Sequence, residues 1–357
     1  MRRLDHESVL VARTGGPPPI APSVNNGRHI SRWFWPCVVA IFVGSVTLGL
    51  LIGKGSLSNA DLKDLFLTMR MQRVAVAFLA GAALAVGGVI AQGLFRNPLA
   101  DPSILGTAAG ASLGGQSVLL GTTILLHGRG PTAILPEMVT PLGCIAGASF
   151  ALVIVLMVSA RGASPITLVL SGFVLSSLFI SCGSFLSSMA QENWELMRAL
   201  SAFASGSVNG AGARQVILGA ILVLGGALPA WLWSSSFDVL LSGEEEAASL
   251  GVNVNRVRLW AVIWASTITA GAVAVGANVG FVGLVVPHAL RRFVGHTHRV
   301  MIPAAFITGG CYLVLCDVVC RAIPVRNEVS LAAITGLIGA PLFLIMLLRM
   351  HAESRYD

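Results

Sequence analysis

Long apolar runs alternate with short polar breaks along most of the chain. Ten of these runs are long enough, or nearly so, to cross a bilayer as helices, because about twenty residues span the hydrocarbon core. Their approximate bounds are 33–52, 74–95, 103–126, 138–159, 167–189, 215–233, 259–277, 281–293, 301–323 and 331–348. The pattern predicts an all-α polytopic membrane protein with about ten transmembrane helices. We expect the membrane domain to cover 33–350, and 351–357 to be a short tail.

Residues 1–32 are polar, rich in Gly and Pro, and contain five arginines. This composition predicts a disordered basic tail. An even number of spans places both termini on one side, and fourteen of the 23 Lys and Arg then lie on that side. The positive-inside rule therefore favours cytoplasmic termini and a cytoplasmic (inner) membrane location.

Composition narrows the function classes. The chain is 55% hydrophobic and 11% charged, with a mean hydropathy of +0.81. Its net charge of +7 comes from basic residues scattered between apolar spans, so no nucleic-acid partner is expected. The six cysteines are read as packing residues, and no metal site is expected. No nucleophile–base motif or phosphate-binding loop is present in the sequence, so we expect a transport subunit and not an enzyme.

The break at 96–102 is followed by a strong helix start. Asp101 can cap free N–H groups, and Pro102 fits the first turn. The following helix carries a glycine every fourth residue, at Gly106, Gly110 and Gly114, which predicts close packing of another helix on that face.

Three arginines lie near span ends on the predicted outer side. Arg70 and Arg73 precede the second span, and Arg321 ends the ninth. Asp317 lies four residues before Arg321, so the two can pair on one helix face. These residues form either a structural ion pair with two snorkelling arginines or a basic rim that docks an acidic partner.

Two further features carry candidate chemistry. Pro287 interrupts a span and frees a carbonyl that another group must satisfy, and we expect His288 to be a neutral side chain bonded to it. The polar segment 241–258 reads LSGEEEAASLGVNVNRVR: its glutamates suit a helix N-terminus, and Gly251 can end that helix. On physical grounds alone it is a solvated surface helix.

The stretch GAALAVGGVIAQGLFRNPLADPSILGTAAGASLGG, residues 81–115, closely resembles the signature of permease subunits of bacterial ABC importers for iron–siderophore complexes, haem and vitamin B12. Residues 280–295, GFVGLVVPHALRRFVG, form another matching block. The resemblance implies a type II ABC importer permease fold. It marks Asn97, Pro98, Asp101, Pro102, Gly106, Gly110, Gly114, Pro287 and His288 as motif or packing residues.

The resemblance also implies roles for three groups of residues. Arg70, Arg73, Arg321 and Glu328 would dock an extracytoplasmic substrate-binding protein. Glu246, Ala247, Leu250 and Gly251 would couple to an ATPase, and Ser171, Gly172, Ser176 and Ser177 would line the translocation path. Two departures from the family pattern are Gln72 in place of Pro and Val329–Ala332 in place of Leu-Pro-x-Gly.

The implied partners are a second permease, identical or homologous, two ATPase subunits, the binding protein and membrane lipid. This chain would bind no cofactor, because ATP would be used by the ATPase subunits. Siderophore, haem and cobalamin remain open as substrates. The alternative is a secondary transporter driven by an ion gradient, for which Asp317 is the central acidic candidate.

Overall fold

The computed structural model describes residues 33–53, 62–125, 134–161, 165–206, 212–275, 278–323 and 329–353. Over these residues the chain forms thirteen α-helices, one short 3-10 helix and no β-strand. The α-helices are α1 (Phe34–Leu51), α2 (Lys63–Leu94), α3 (Thr107–Leu125), α4 (Ile134–Ala160), α5 (Pro165–Met189), α6 (Trp194–Ala204), α7 (Ala213–Leu232), α8 (Ser234–Leu241), α9 (Glu244–Ser249), α10 (Val254–Ala274), α11 (Val282–Val294), α12 (His298–Ala322) and α13 (Leu331–Glu353). The 3-10 helix is Pro102–Leu105.

The predicted all-α multi-pass fold is confirmed. Among the described helices, α1, α2, α4, α5, α7, α10 and α12 are long and apolar enough to cross a membrane. The three other predicted spans correspond to α3, α11 and α13, so ten is an approximate count. The tail 1–32 lies outside the described residues, and 351–353 continue α13.

Helix α2 occupies the centre of the bundle. From Val74 to Leu94 it is almost entirely buried, and α7, α10, α11 and α12 pack around it. Its small residues make this possible: a Cβ atom on Gly81 would lie 2.2 Å from the carbonyl oxygen of Gly309 in α12. A Cβ on Gly88 would lie 1.9 Å from the carbonyl oxygen of Gly283 in α11. In lipid the hydrophobic effect does not drive helices together, so their association depends on van der Waals packing. Close approach of the backbones supplies this packing.

Three features differ from the predicted elements. Helix α2 begins at Lys63 and not at Val74, because most residues before the apolar run are Leu, Met, Arg, Lys or Gln, which are good helix formers. Arg70 and Arg73 therefore lie inside the helix. The short helices α6 and α8 were not predicted as separate elements, because neither contains an apolar run of membrane-spanning length.

Candidate docking, path and coupling sites

A buried ion cluster joins α2 to α12 near the start of α2. Asp317 is 1% exposed and lies between two arginines. Arg73 Nη2 is 2.8 Å from Asp317 Oδ1, and Arg73 Nε donates to the same oxygen at 3.0 Å. Arg321 Nη2 is 3.0 Å from Asp317 Oδ2. The structure thus contains the predicted Asp317–Arg321 pair and adds Arg73 to it.

The same cluster holds the end of α1. Arg70 donates to the carbonyls of Leu50, Leu51 and Gly53 at 2.9, 3.1 and 3.0 Å. Arg321 donates to Gly49 O at 2.9 Å and also to Ile52 O. The last carbonyls of a helix lack intrahelical partners and attract cations, so these two arginines cap α1.

The arginines differ in their access to a partner. Arg70 and Arg321 are buried, whereas the Arg73 side chain is 18% exposed. All three have a structural role, and docking stays a prediction for them. Glu328 lies outside the described residues.

The break after α2 is a capped turn. The Asn97 side chain accepts from the Leu99 N–H at 2.9 Å, just before Pro98. Asp101 accepts from the Ser103 N–H at 2.9 Å and also from its hydroxyl, and Pro102 begins the 3-10 helix. The predicted helix start at Asp101 is therefore present, in 3-10 form.

The three motif glycines do not share one helix face, which corrects the prediction. Gly106 has φ +76° and separates the 3-10 helix from α3, and a Cβ there would meet Gly172 O of α5 at 3.1 Å. Gly110 and Gly114 lie in α3 against α4, where Cβ atoms would come within 2.6 and 2.0 Å of carbonyl oxygens. Because the backbone at Gly106 is left-handed, this residue lies outside α3 and does not share a helix face with Gly110 and Gly114.

The carbonyl freed by Pro287 is satisfied by a different helix. Pro287 has no N–H for Gly283 O, and the Gln92 side-chain amide of α2 donates to that oxygen at 3.2 Å. Arg291 in turn donates to Gln92 Oε1. The prediction that His288 bonds this carbonyl is wrong, since Gln92 donates to Gly283 O instead. Among the described residues, the buried His288 Nδ1 has no hydrogen-bond partner.

The predicted coupling segment contains α9. Ala247 is buried, while Glu246 is exposed and Leu250 is 65% exposed at the end of the helix. Gly251 has φ +81° and ends the helix, with the Val252 N–H bonded to Ala247 O at 3.0 Å. One face of this short helix is anchored and its tip is presented outward.

Glu244 connects α9 to two other parts of the chain. Its Oε1 accepts from Arg258 of α10 at 2.7 Å and lies 3.4 Å from Arg96 Nη2, in the turn after α2. Sequence reasoning missed this link, because neither arginine stands at a helical spacing from Glu244.

The four predicted path residues of α5 do not share one face. Gly172 is buried, Ser171 and Ser176 are half-buried, and Ser177 is exposed. Ser177 begins a row with Ser181, Ser184 and Ser188, whose exposed hydroxyls each donate to the carbonyl four residues earlier. The last three were missed, although their spacing of four, three and four residues was a readable signal.

Comparison with known proteins covers nearly the whole chain. Residues 35–349 match the model of the FecCD transport family. The chain is 32% identical to the hemin transport system permease protein HmuU of Yersinia pestis, over 88% of this chain and 94% of that protein. It is 36% identical to the cobalamin import system permease protein BtuC of Halobacterium salinarum, over 78% of this chain and 72% of that protein. It is also 36% identical to the Fe(3+) dicitrate permease FecD of Escherichia coli, over 79% and 84%.

A solved structure of a metal-chelate type ABC transporter in an inward-facing conformation has the same fold. The TM-score is 0.75 at 28% identity, over 88% of this chain and 98% of the solved one. The helical bundle and the sequence similarity therefore agree, and the chain belongs to the FecCD transport family as a multi-pass membrane permease.

Proposed function

We propose that this chain is the transmembrane subunit of an ABC importer that moves a metal complex across the cytoplasmic membrane. The observation that carries the proposal is similarity, over most of the chain, to permeases named for cobalamin, hemin and ferric citrate. These cargoes share one chemistry, a metal ion held in an organic chelate. The substrate is thus an iron complex, haem or cobalamin.

The energy comes from two partner ATPase subunits, and both termini lie on their side of the membrane. Helix α9 suits contact with an ATPase because its tip is exposed while Ala247 and Glu244 fix it to the bundle. ATP binding closes the ATPases, and the coupling residues Glu246, Ala247, Leu250 and Gly251 pass this motion to the spans.

Two permease copies, identical or homologous, form the path between them. The serine row of α5 supports this arrangement, because each hydroxyl, after donating to its own helix, keeps acceptor capacity that a polar passage can use. An extracytoplasmic binding protein docks at the arginine cluster, in which the Arg73 side chain is 18% exposed. Charge pairing at such a surface speeds association and weakens with salt.

Purification from the native membrane in mild detergent tests the proposal. Mass spectrometry of the eluate is expected to find an ATPase subunit in equal amount with the permease. A permease that stays alone, even after addition of candidate ATPases, would overturn it.

A further inference from the structure

A cavity with both polar and apolar walls lies where the end of α7 meets α8 and the start of α12. Its volume is about 290 Å³, and its lining includes Leu232, Ser235 and Arg299. Three hydrogen bonds fix its walls. The Trp231 indole N–H donates to Arg299 O at 2.9 Å, and Asp238 Oδ1 accepts from the His298 backbone N–H at 2.8 Å and bonds its ring Nδ1 at 2.7 Å.

The cavity contains both signs of charge. Asp238 and Arg299 both line the cavity, together with the hydroxyl-bearing residues Ser234, Ser235 and Thr297. Both hydrogen bonds of Asp238 fall on Oδ1, and its side chain is 31% exposed. Among the described residues, no donor bonds Oδ2, so the carboxylate retains acceptor capacity.

An exposed apolar stripe leads along α7 to this cavity. Its members are spaced three or four residues apart and all are exposed: Ile217, Ile221, Leu224, Leu228 and Leu232. The stripe covers about 22 Å at 1.5 Å per residue, more than the ~15 Å depth of one leaflet. Trp231 stands at its end, where an indole suits the membrane interface.

We propose that this cavity binds the headgroup of a phospholipid that carries a primary ammonium, such as phosphatidylethanolamine. The ammonium donates to Asp238, the phosphate accepts from Arg299 and the nearby hydroxyls, and one acyl chain lies along the α7 stripe. A zwitterionic headgroup fits because its ammonium is opposite in charge to Asp238 and its phosphate is opposite in charge to Arg299. The hydrogen-bonded walls form the cavity before the lipid arrives, which limits the ordering cost of binding.

Native mass spectrometry of the full-length chain tests this site. The protein is exchanged into mixed micelles containing equal amounts of phosphatidylethanolamine, phosphatidylcholine and phosphatidylglycerol, and retained lipids are counted. We expect selective retention of phosphatidylethanolamine, because the quaternary ammonium of phosphatidylcholine has no N–H to donate. Equal retention of phosphatidylethanolamine and phosphatidylcholine, or a preference for anionic phosphatidylglycerol, would overturn the proposal.

Two substitutions place the lipid at the cavity. Asp238→Asn keeps an oxygen for His298, and Arg299→Gln keeps the backbone carbonyl that Trp231 uses. Each removes a charge-assisted hydrogen bond, so retention should fall roughly tenfold. Glu245→Gln and Arg256→Gln remove exposed charges near the same end and should leave retention unchanged. A similar fall in these controls, or none in the cavity variants, would contradict the assignment.

Discussion

Asp317 is buried and binds arginines from two helices, of which Arg73 keeps part of its side chain exposed. Removing its charge takes away the carboxylate that binds both Arg73 and Arg321. Breaking a buried ion pair on one side costs about 3–5 kcal/mol. We therefore expect Asp317→Asn to lower the thermal unfolding temperature of the detergent-solubilised protein by several degrees.

Two variants control this prediction. Asp64→Asn removes an exposed carboxylate from the first turn of the same α2 and should change stability little. Adding Arg73→Gln to Asp317→Asn should recover part of the loss, because it lowers the positive charge beside the buried neutral amide. A fully stable Asp317→Asn protein would show that the cluster does not hold α1, α2 and α12 together.

Leu250 is the exposed apolar tip of α9. If it enters a cleft of the ATPase, Leu250→Asp places a charge in that contact and should abolish transport while ATP hydrolysis continues. Paired assays of uptake and hydrolysis on the same membranes measure this. Asn255→Asp, which adds the same charge at an exposed position of α10, is the control and should stay coupled. Coupled transport by Leu250→Asp would remove Leu250 from the coupling contact.

The α3–α4 pair depends on glycine at the points where the backbones meet. Gly114→Ala would place Cβ 2.0 Å from Gly143 O, a backbone atom that cannot rotate away. We expect a loss of about 1–3 kcal/mol from overpacking, measured as lower thermal stability. Gly121 in the same helix has no atom within 4 Å of its Cβ position, so Gly121→Ala should be neutral or slightly stabilising. Equal effects of the two substitutions would contradict close packing.

Helix α11 relies on α2 for one backbone hydrogen bond. Gln92→Leu leaves the Gly283 carbonyl unsatisfied, at a cost of about 1–3 kcal/mol. Pro287→Ala restores an N–H that can bond this carbonyl within α11. The cost of Gln92→Leu should therefore be smaller when residue 287 is Ala, and a double-mutant cycle on thermal stability measures the difference. Additive effects would show that Gln92 does not replace the bond lost at Pro287.

The elements visible in the sequence are those with a local signal. Apolar runs predicted the spans, the four-residue spacing predicted the Asp317–Arg321 pair, and Pro287 predicted that a neighbour must supply a hydrogen bond. The identities of Arg73 and Gln92 as partners had no such signal, since they lie 244 and 191 residues from the groups they bind. Only the folded chain brings these groups together.

Across the whole molecule, α2 links the two regions assigned to partners. Arg73 lies in its first half, next to Asp317, and Arg96 follows its last turn, next to Glu244 of α9. At 1.5 Å per residue these arginines are about 35 Å apart along the helix. Because α2 is buried along most of this length, we expect a shift at α9 to move α2 as a packed rod. Docking and ATPase contact thus act on one element in our account.

ATP-driven uptake into proteoliposomes tests the central claim most directly. Vesicles would contain the permease with its ATPase, ATP inside and the binding protein outside, and would be offered labelled cobalamin, haemin and a ferric siderophore in turn. We predict that one of these metal chelates accumulates only with hydrolysable ATP, and that ionophores leave accumulation unchanged. Accumulation without ATP that collapses when a proton or sodium gradient is dissipated would contradict the account, and would instead identify an ion-driven transporter.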